Sequence, residues 1–98
     1  MPYSFSATVF SGGNWPKIKD AKCTLQSDRL VATDGSKVHQ MAFRDIREVK
    51  AKRRFVSRKL VSIWLYRAGP GTDTQLWLHG SAEDREDVWE HVRRAVAG

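Results

Sequence analysis

One cysteine, Cys23, stands among the 98 residues, so neither an internal disulfide nor a cysteine metal cluster can form. A reducing, intracellular setting is the natural expectation. Long apolar runs are absent; nothing approaches the ~18 residues that a membrane-spanning helix needs. Met1-Pro2-Tyr3-Ser4-Phe5 lacks the basic start and apolar stretch of a secretion signal. No linker, repeat or low-complexity segment interrupts the chain, and residues 1–98 are expected to form a single domain. A chain this short buries roughly 60–65% of its unfolded surface, enough for one core. No P-loop, paired-carboxylate site or Ser-His-Asp order stands out. His39, His79 and His91 fall on three different predicted elements without ligand spacing. Neither enzymatic activity nor a metal or cofactor is therefore expected, and Cys23 reads as a small buried hydrophobe.

What the chain does have is positive charge, placed unevenly. Of 17 Lys and Arg, six lie in the ten residues Lys50–Lys59 (Lys50, Lys52, Arg53, Arg54, Arg58, Lys59), with no acid among them. The remaining 88 residues hold 11 basic and 11 acidic side chains, so the whole formal charge of +6 belongs to one tenth of the sequence. A field that concentrated attracts an anionic partner.

Hydrophobic alternation predicts seven strands. Tyr3–Phe10 puts Tyr3, Phe5, Ala7 and Val9 on one face. Ser11-Gly12-Gly13-Asn14-Trp15-Pro16 breaks it. Lys17–Gln26 follows with Ala21, Cys23 and Leu25 inward, then Arg29–Thr33, then Lys37–Phe43, with Asp34-Gly35 between them as a type I′ turn. A fifth strand runs from Ile46 to about Arg54. It sends Lys50, Lys52 and Arg54 outward and Val49, Ala51 and Phe55 toward the core. Leu60–Arg67 alternates Val61, Ile63, Leu65 against Ser62, Trp64, Tyr66. Gln75–His79 alternates Leu76, Leu78 against Gln75, Trp77, His79. An antiparallel register with Leu65 opposite Leu76 also sets Trp64 opposite Trp77, satisfying both faces. Ser81 followed by Asp84 is a capping-box variant. Acids open the helix that follows and Arg93 and Arg94 close it, as the macrodipole favours. Val88, Val92 and Ala95 or Val96 give that helix an apolar stripe with Trp89 beside it.

Seven short strands followed by one amphipathic helix with Trp89 in its middle resemble the pleckstrin-homology (PH) superfold. The resemblance spans Tyr3–Ala97. It implies a mainly β fold: a partly open barrel of seven antiparallel strands in two near-orthogonal sheets, capped by the C-terminal helix. Cys23–Val31, with its leucine, turn and Arg-Leu-Val, and Met41–Val49, with its Asp-Ile, resemble the GRAM and bacterial PH-like branch. The run from Lys59 through Leu65-Tyr66-Arg67-Ala68-Gly69 to Leu78 is similar to the PH-like domain of a TFIIH core subunit. PH-like domains bind lipids, peptides and proteins alike, so the fold leaves function open.

Three partner classes follow. The first is an acidic protein segment, docked on Lys50, Lys52, Arg53, Arg54, Arg58 and Lys59 with Trp64 or Trp77 as apolar anchor. The resemblance to the TFIIH domain, which recognises acidic segments, implies the same. The second is an anionic phospholipid surface, met by the same stretch and by Trp15, Lys17, Lys19 and Lys22. In lipid-binding PH domains a Lys closes strand one and a basic-x-Arg pair follows in strand two. Here Phe10 replaces that Lys, and Lys17-Ile18-Lys19 lacks the Arg, which argues against phosphoinositide specificity. The third is nucleic acid: aromatics with cations stack bases, but no recognition motif is present. The plain alternative to all three is that lysines and arginines protect an edge strand from aggregation.

Overall fold

The computed structural model describes residues 2–12 and 16–98. Its elements in chain order are β1 (Tyr3–Ser11), β2 (Pro16–Leu25), β3 (Arg29–Thr33), β4 (Val38–Ala42), a single 3-10 turn (Phe43–Asp45), β5 (Ile46–Arg53), β6 (Leu60–Arg67), β7 (Thr74–Leu78) and α1 (Ala82–Ala97). All pairings are antiparallel and the strand order is β4-β3-β2-β1-β7-β6-β5. Instead of two separate sheets there is one continuous sheet, because β1 pairs with β7 as well as with β2. It is open between β4 and β5, its two end strands.

The inward face carries Ala7 and Val9 of β1, Ala21 and Cys23 of β2, Ile63 and Leu65 of β6 and Leu76 of β7, all essentially without exposure. Val88 and Val92 of α1 close over it, with Trp89 half-buried against the same core. Burial pushes the Cys23 thiol up to about 12, so the group stays protonated and packs as a hydrophobe. Ser81 accepts from the Asp84 N–H at 3.1 Å while the Asp84 carboxylate accepts from the Ser81 N–H, completing the capping box. Replacing Ser81 with alanine is expected to lower stability by about 1 kcal/mol in thermal unfolding.

Bulges change which residues face inward. Ala7 pairs with Ala21 but Val9 with Ile18, so β2 carries an extra residue opposite Thr8. Asp20 absorbs it in left-handed backbone, φ 49°. Ile18 is thereby turned into the core although its parity differs from that of Ala21 and Cys23. On β6, Lys52 pairs with Ser62 and Arg53 with Leu60, so Val61 is the unpaired residue. Leu60 takes the core position and Val61, expected inside, is only half-buried.

The β6–β7 register also differs from the sequence expectation. Leu65 pairs with Thr74, Ile63 with Leu76, Trp64 with Gln75 and Ser62 with Trp77. The strand begins one residue earlier, at Thr74, and the pairing is slipped by two, a shift that leaves Ile63, Leu65, Leu76 and Leu78 on the inward face. The β3–β4 connection is not a type I′ turn. Thr33 pairs with Val38, four residues intervene, and only Gly35 among them has positive φ, where type I′ needs two such residues. The Asp34 carboxylate holds this loop, accepting from the N–H groups of Ser36 and Lys37 at 2.9 and 2.8 Å. On β6–β7, Gly71 has φ 126°, a conformation reserved for glycine. Gly71→Ala is expected to cost about 1–3 kcal/mol in thermal unfolding, chiefly from the backbone, since the Arg67 side chain that a Cβ would meet at 2.5 Å is flexible.

Candidate interaction surface: the β5–β6 hairpin

The basic segment occupies β5, a sheet-end strand, and the turn that follows it. Lys50 lies opposite Trp64 and Lys52 opposite Ser62, both on the outward face; Val49 and Ala51 pack against the core. The cations do not stand free of the aromatics. Lys52 Nζ sits 5.1 Å from the Trp64 ring centre, and Lys50 Nζ and the Arg47 guanidinium sit 5.8 and 5.4 Å from that of Tyr66. Each such contact is worth roughly 0.5–1 kcal/mol at an exposed site. Trp64 and Tyr66 lie 6.3 Å apart, so three cations and two rings form one continuous patch. Lys50 also approaches Glu48, at 3.6 Å.

Trp64 is half-buried, and its Nε1 donates to Ser62 Oγ at 3.1 Å. Trp77 is 40% exposed and packs edge-on against Phe10 at 5.9 Å. Its Nε1 donates to Gln75 Oε1 at 3.1 Å. The two tryptophans are diagonal neighbours, not the facing pair expected from sequence. His79 is drawn away from them: its ring nitrogens lie 3.3 Å from Ser6 Oγ and 3.1 Å from Thr8 Oγ1, with Asp20 at 3.7 Å.

Arg53 has a different part from its basic neighbours. Its guanidinium donates to both carboxylate oxygens of Glu86 on α1 and, at 3.4 Å, to the Arg58 carbonyl. Those hydrogen bonds hold the Glu86 carboxyl below its ordinary value. Arg53 is therefore a strut between hairpin and helix, its charge already matched. Among the described residues, Arg54, Arg58 and Lys59 form no ion pair.

The turn itself departs from simple alternation. Phe55, expected in the core, is 95% exposed, and Val56 beside it is 91% exposed. β5 ends at Arg53 and residues 54–59 close a turn: Arg54 N–H donates to Lys59 O at 2.9 Å and Arg58 N–H to Arg54 O at 3.0 Å. Arg58 takes left-handed backbone, φ 60°. Next to the turn, an open groove of about 430 Å³ is lined by Arg54, Ser57, Lys59, Gly80, Ala82 and Arg85. Arg85 is committed there to the carbonyls of Gly80 and Leu60, at 3.1 and 3.2 Å.

Lys17, Lys19 and Lys22 are exposed on β2, with Asp20 between them. In the sheet, β1, β7 and β6 separate them from β5. Trp15 lies outside the described residues.

No protein-family model matches the chain, and no curated protein matches it. Among solved structures it is similar to the N-terminal PH domain of Vps36, with a TM-score of 0.74 over 98% of this chain and 80% of that one, at 15% identity. The protein thus has a PH-like fold: seven antiparallel strands and a C-terminal helix. No helix among the described residues is long and apolar enough to cross a membrane.

Proposed function

We propose that this is a non-catalytic intracellular interaction module that docks an acidic, extended protein segment along β5. The observation that carries the reading is the patch of Arg47, Lys50 and Lys52 over Tyr66 and Trp64, placed at an end strand of the sheet. An end strand offers unpaired N–H and C=O groups, which an incoming strand can complete. Cations along that edge repel neutral or basic strands by desolvation and charge, and admit an acidic one. Edge protection and acidic docking therefore use the same residues; what separates them is saturable binding. The rings give the partner a flat apolar surface between the charges.

The test is titration of a short Asp/Glu-rich peptide containing one Phe, followed by tryptophan fluorescence and calorimetry. Saturable binding is expected. Lys50→Glu with Lys52→Glu should weaken it at least about tenfold, roughly 1.4 kcal/mol, while Lys17→Glu with Lys19→Glu should leave it within about twofold. Equal affinity in the Lys50/Lys52 variant, or no saturable binding near ~0.15 M salt, would leave edge protection as the only role of the segment. A membrane reading through Trp15 and the β2 lysines has less support, since Asp20 sits among those cations and three strands part them from β5.

A further inference from the structure

Phe55 and Val56 are large apolar side chains standing almost wholly in water at the end of a hairpin. Single exposed hydrophobes are ordinary, but an adjacent pair at a projecting turn is not explained by folding. The turn holds them there. The 54→59 and 58→54 backbone hydrogen bonds close it, and Arg53 ties its neck to Glu86 of the helix. Arg54, Arg58 and Lys59 flank the pair on both sides in sequence and form no ion pair among the described residues. Apolar tip and cationic collar together match the layering of an anionic bilayer, whose acyl boundary lies just beneath its phosphates. A protein groove would also take Phe55. It would not call for three unpaired cations around it, and an acidic peptide would not call for an apolar point.

We propose that the β5–β6 turn is a membrane wedge: Phe55 and Val56 enter the interfacial layer of an anionic bilayer, and Arg54, Arg58 and Lys59 meet the headgroup phosphates. Only two side chains insert, so attachment is weak and reversible, and it needs both the apolar and the electrostatic part. The site is distinct from the Arg47–Lys50–Lys52 patch and does not depend on peptide docking there. A chain held by its tip would keep the β5 edge free beside the membrane.

The full chain is tested by co-sedimentation with phosphatidylcholine vesicles and with vesicles containing about 30% phosphatidylserine, near ~0.15 M salt. Partitioning is expected on the anionic vesicles alone. Phe55→Ser with Val56→Ser should weaken it roughly tenfold or more, with the unfolding midpoint unchanged because neither side chain is packed. Arg58→Glu with Lys59→Glu should weaken it at least as much. A second readout is Phe55→Cys carrying an environment-sensitive dye; Cys23 is buried and leaves the label to position 55. Its emission should shift to the blue on anionic vesicles and stay unchanged with glycerophosphate in solution. Wild-type partitioning by the Ser variant, no dye shift, no vesicle binding at all, or full competition by free glycerophosphate would each overturn the wedge.

Discussion

Leu60→Ala is expected to lower stability by about 2–5 kcal/mol, whereas Phe55→Ala, five residues earlier, should leave it within about 0.5 kcal/mol. Leu60 has no exposed surface and Phe55 has almost nothing else. The difference comes from one bulge. Lys52 faces Ser62 and Arg53 faces Leu60, so the chain gains a residue at Val61 and Leu60 swings into the core. Truncating it leaves a cavity beneath the N-terminus of α1, where Arg85 bonds to the Leu60 carbonyl. For a domain of this size each kcal/mol moves the midpoint by roughly 4–8 °C, so the Leu60 variant should melt at least about 8 °C lower. Calorimetry on both variants reads this directly. A Phe55 variant as unstable as the Leu60 one would put Phe55 back in the core and remove the basis of the wedge.

The contrast shows where alternation carries information and where it stops. Faces were legible: Ala7 and Val9, Ala21 and Cys23, Ile63 and Leu65 and Leu76 all point inward as their spacing requires. The helix was legible because Ser81 and Asp84 announce its start and Val88 and Val92 its stripe. Registers were not, because a side-chain period of two cannot distinguish pairings that differ by two residues. Thr74 hid the true closing pair by looking like a loop residue while being fully buried.

The tip was illegible for a further reason. Residues 54–58 contain no glycine or proline to mark the end of β5, so alternation ran on into the turn and sent Phe55 inward. The position that glycine usually fills, in left-handed backbone, is Arg58. The sequence does carry a second signal: an inward-facing strand position is not expected to be followed directly by Val56 and then three polar residues, Ser57, Arg58 and Lys59, with no hydrophobic return until Leu60. The basic stretch was located from composition alone. Only the fold divides it into a strut (Arg53), a cation–aromatic patch (Lys50, Lys52) and a collar (Arg54, Arg58, Lys59).

Acid should destabilise the protein in two separable stages. The first belongs to His39, half-buried on β4, with Nε2 3.2 Å from Thr74 Oγ1. Burial above all, then the positive charges of Lys17 and Arg67, hold its pKa below the ordinary 6.5. Between 6.5 and that lower value the unfolded chain binds the proton and the folded chain does not, so stability falls as pH drops through this window and levels off below it. His39→Gln keeps a partner for Thr74 and should flatten that limb. The second stage belongs to Asp34, whose bonds from the Lys37 and Ser36 N–H groups lower its carboxyl from 3.8 to about 2. Its contribution is complete above 3.8 and is lost as pH falls toward 2, with Glu86, also lowered, adding to the same limb. Asp34→Asn preserves an acceptor for the turn and should shrink the second limb alone. Unfolding midpoints measured from neutral pH downward in the wild type and both variants resolve the two stages. An unchanged upper limb in His39→Gln would assign that loss to another group and refute the burial argument for His39.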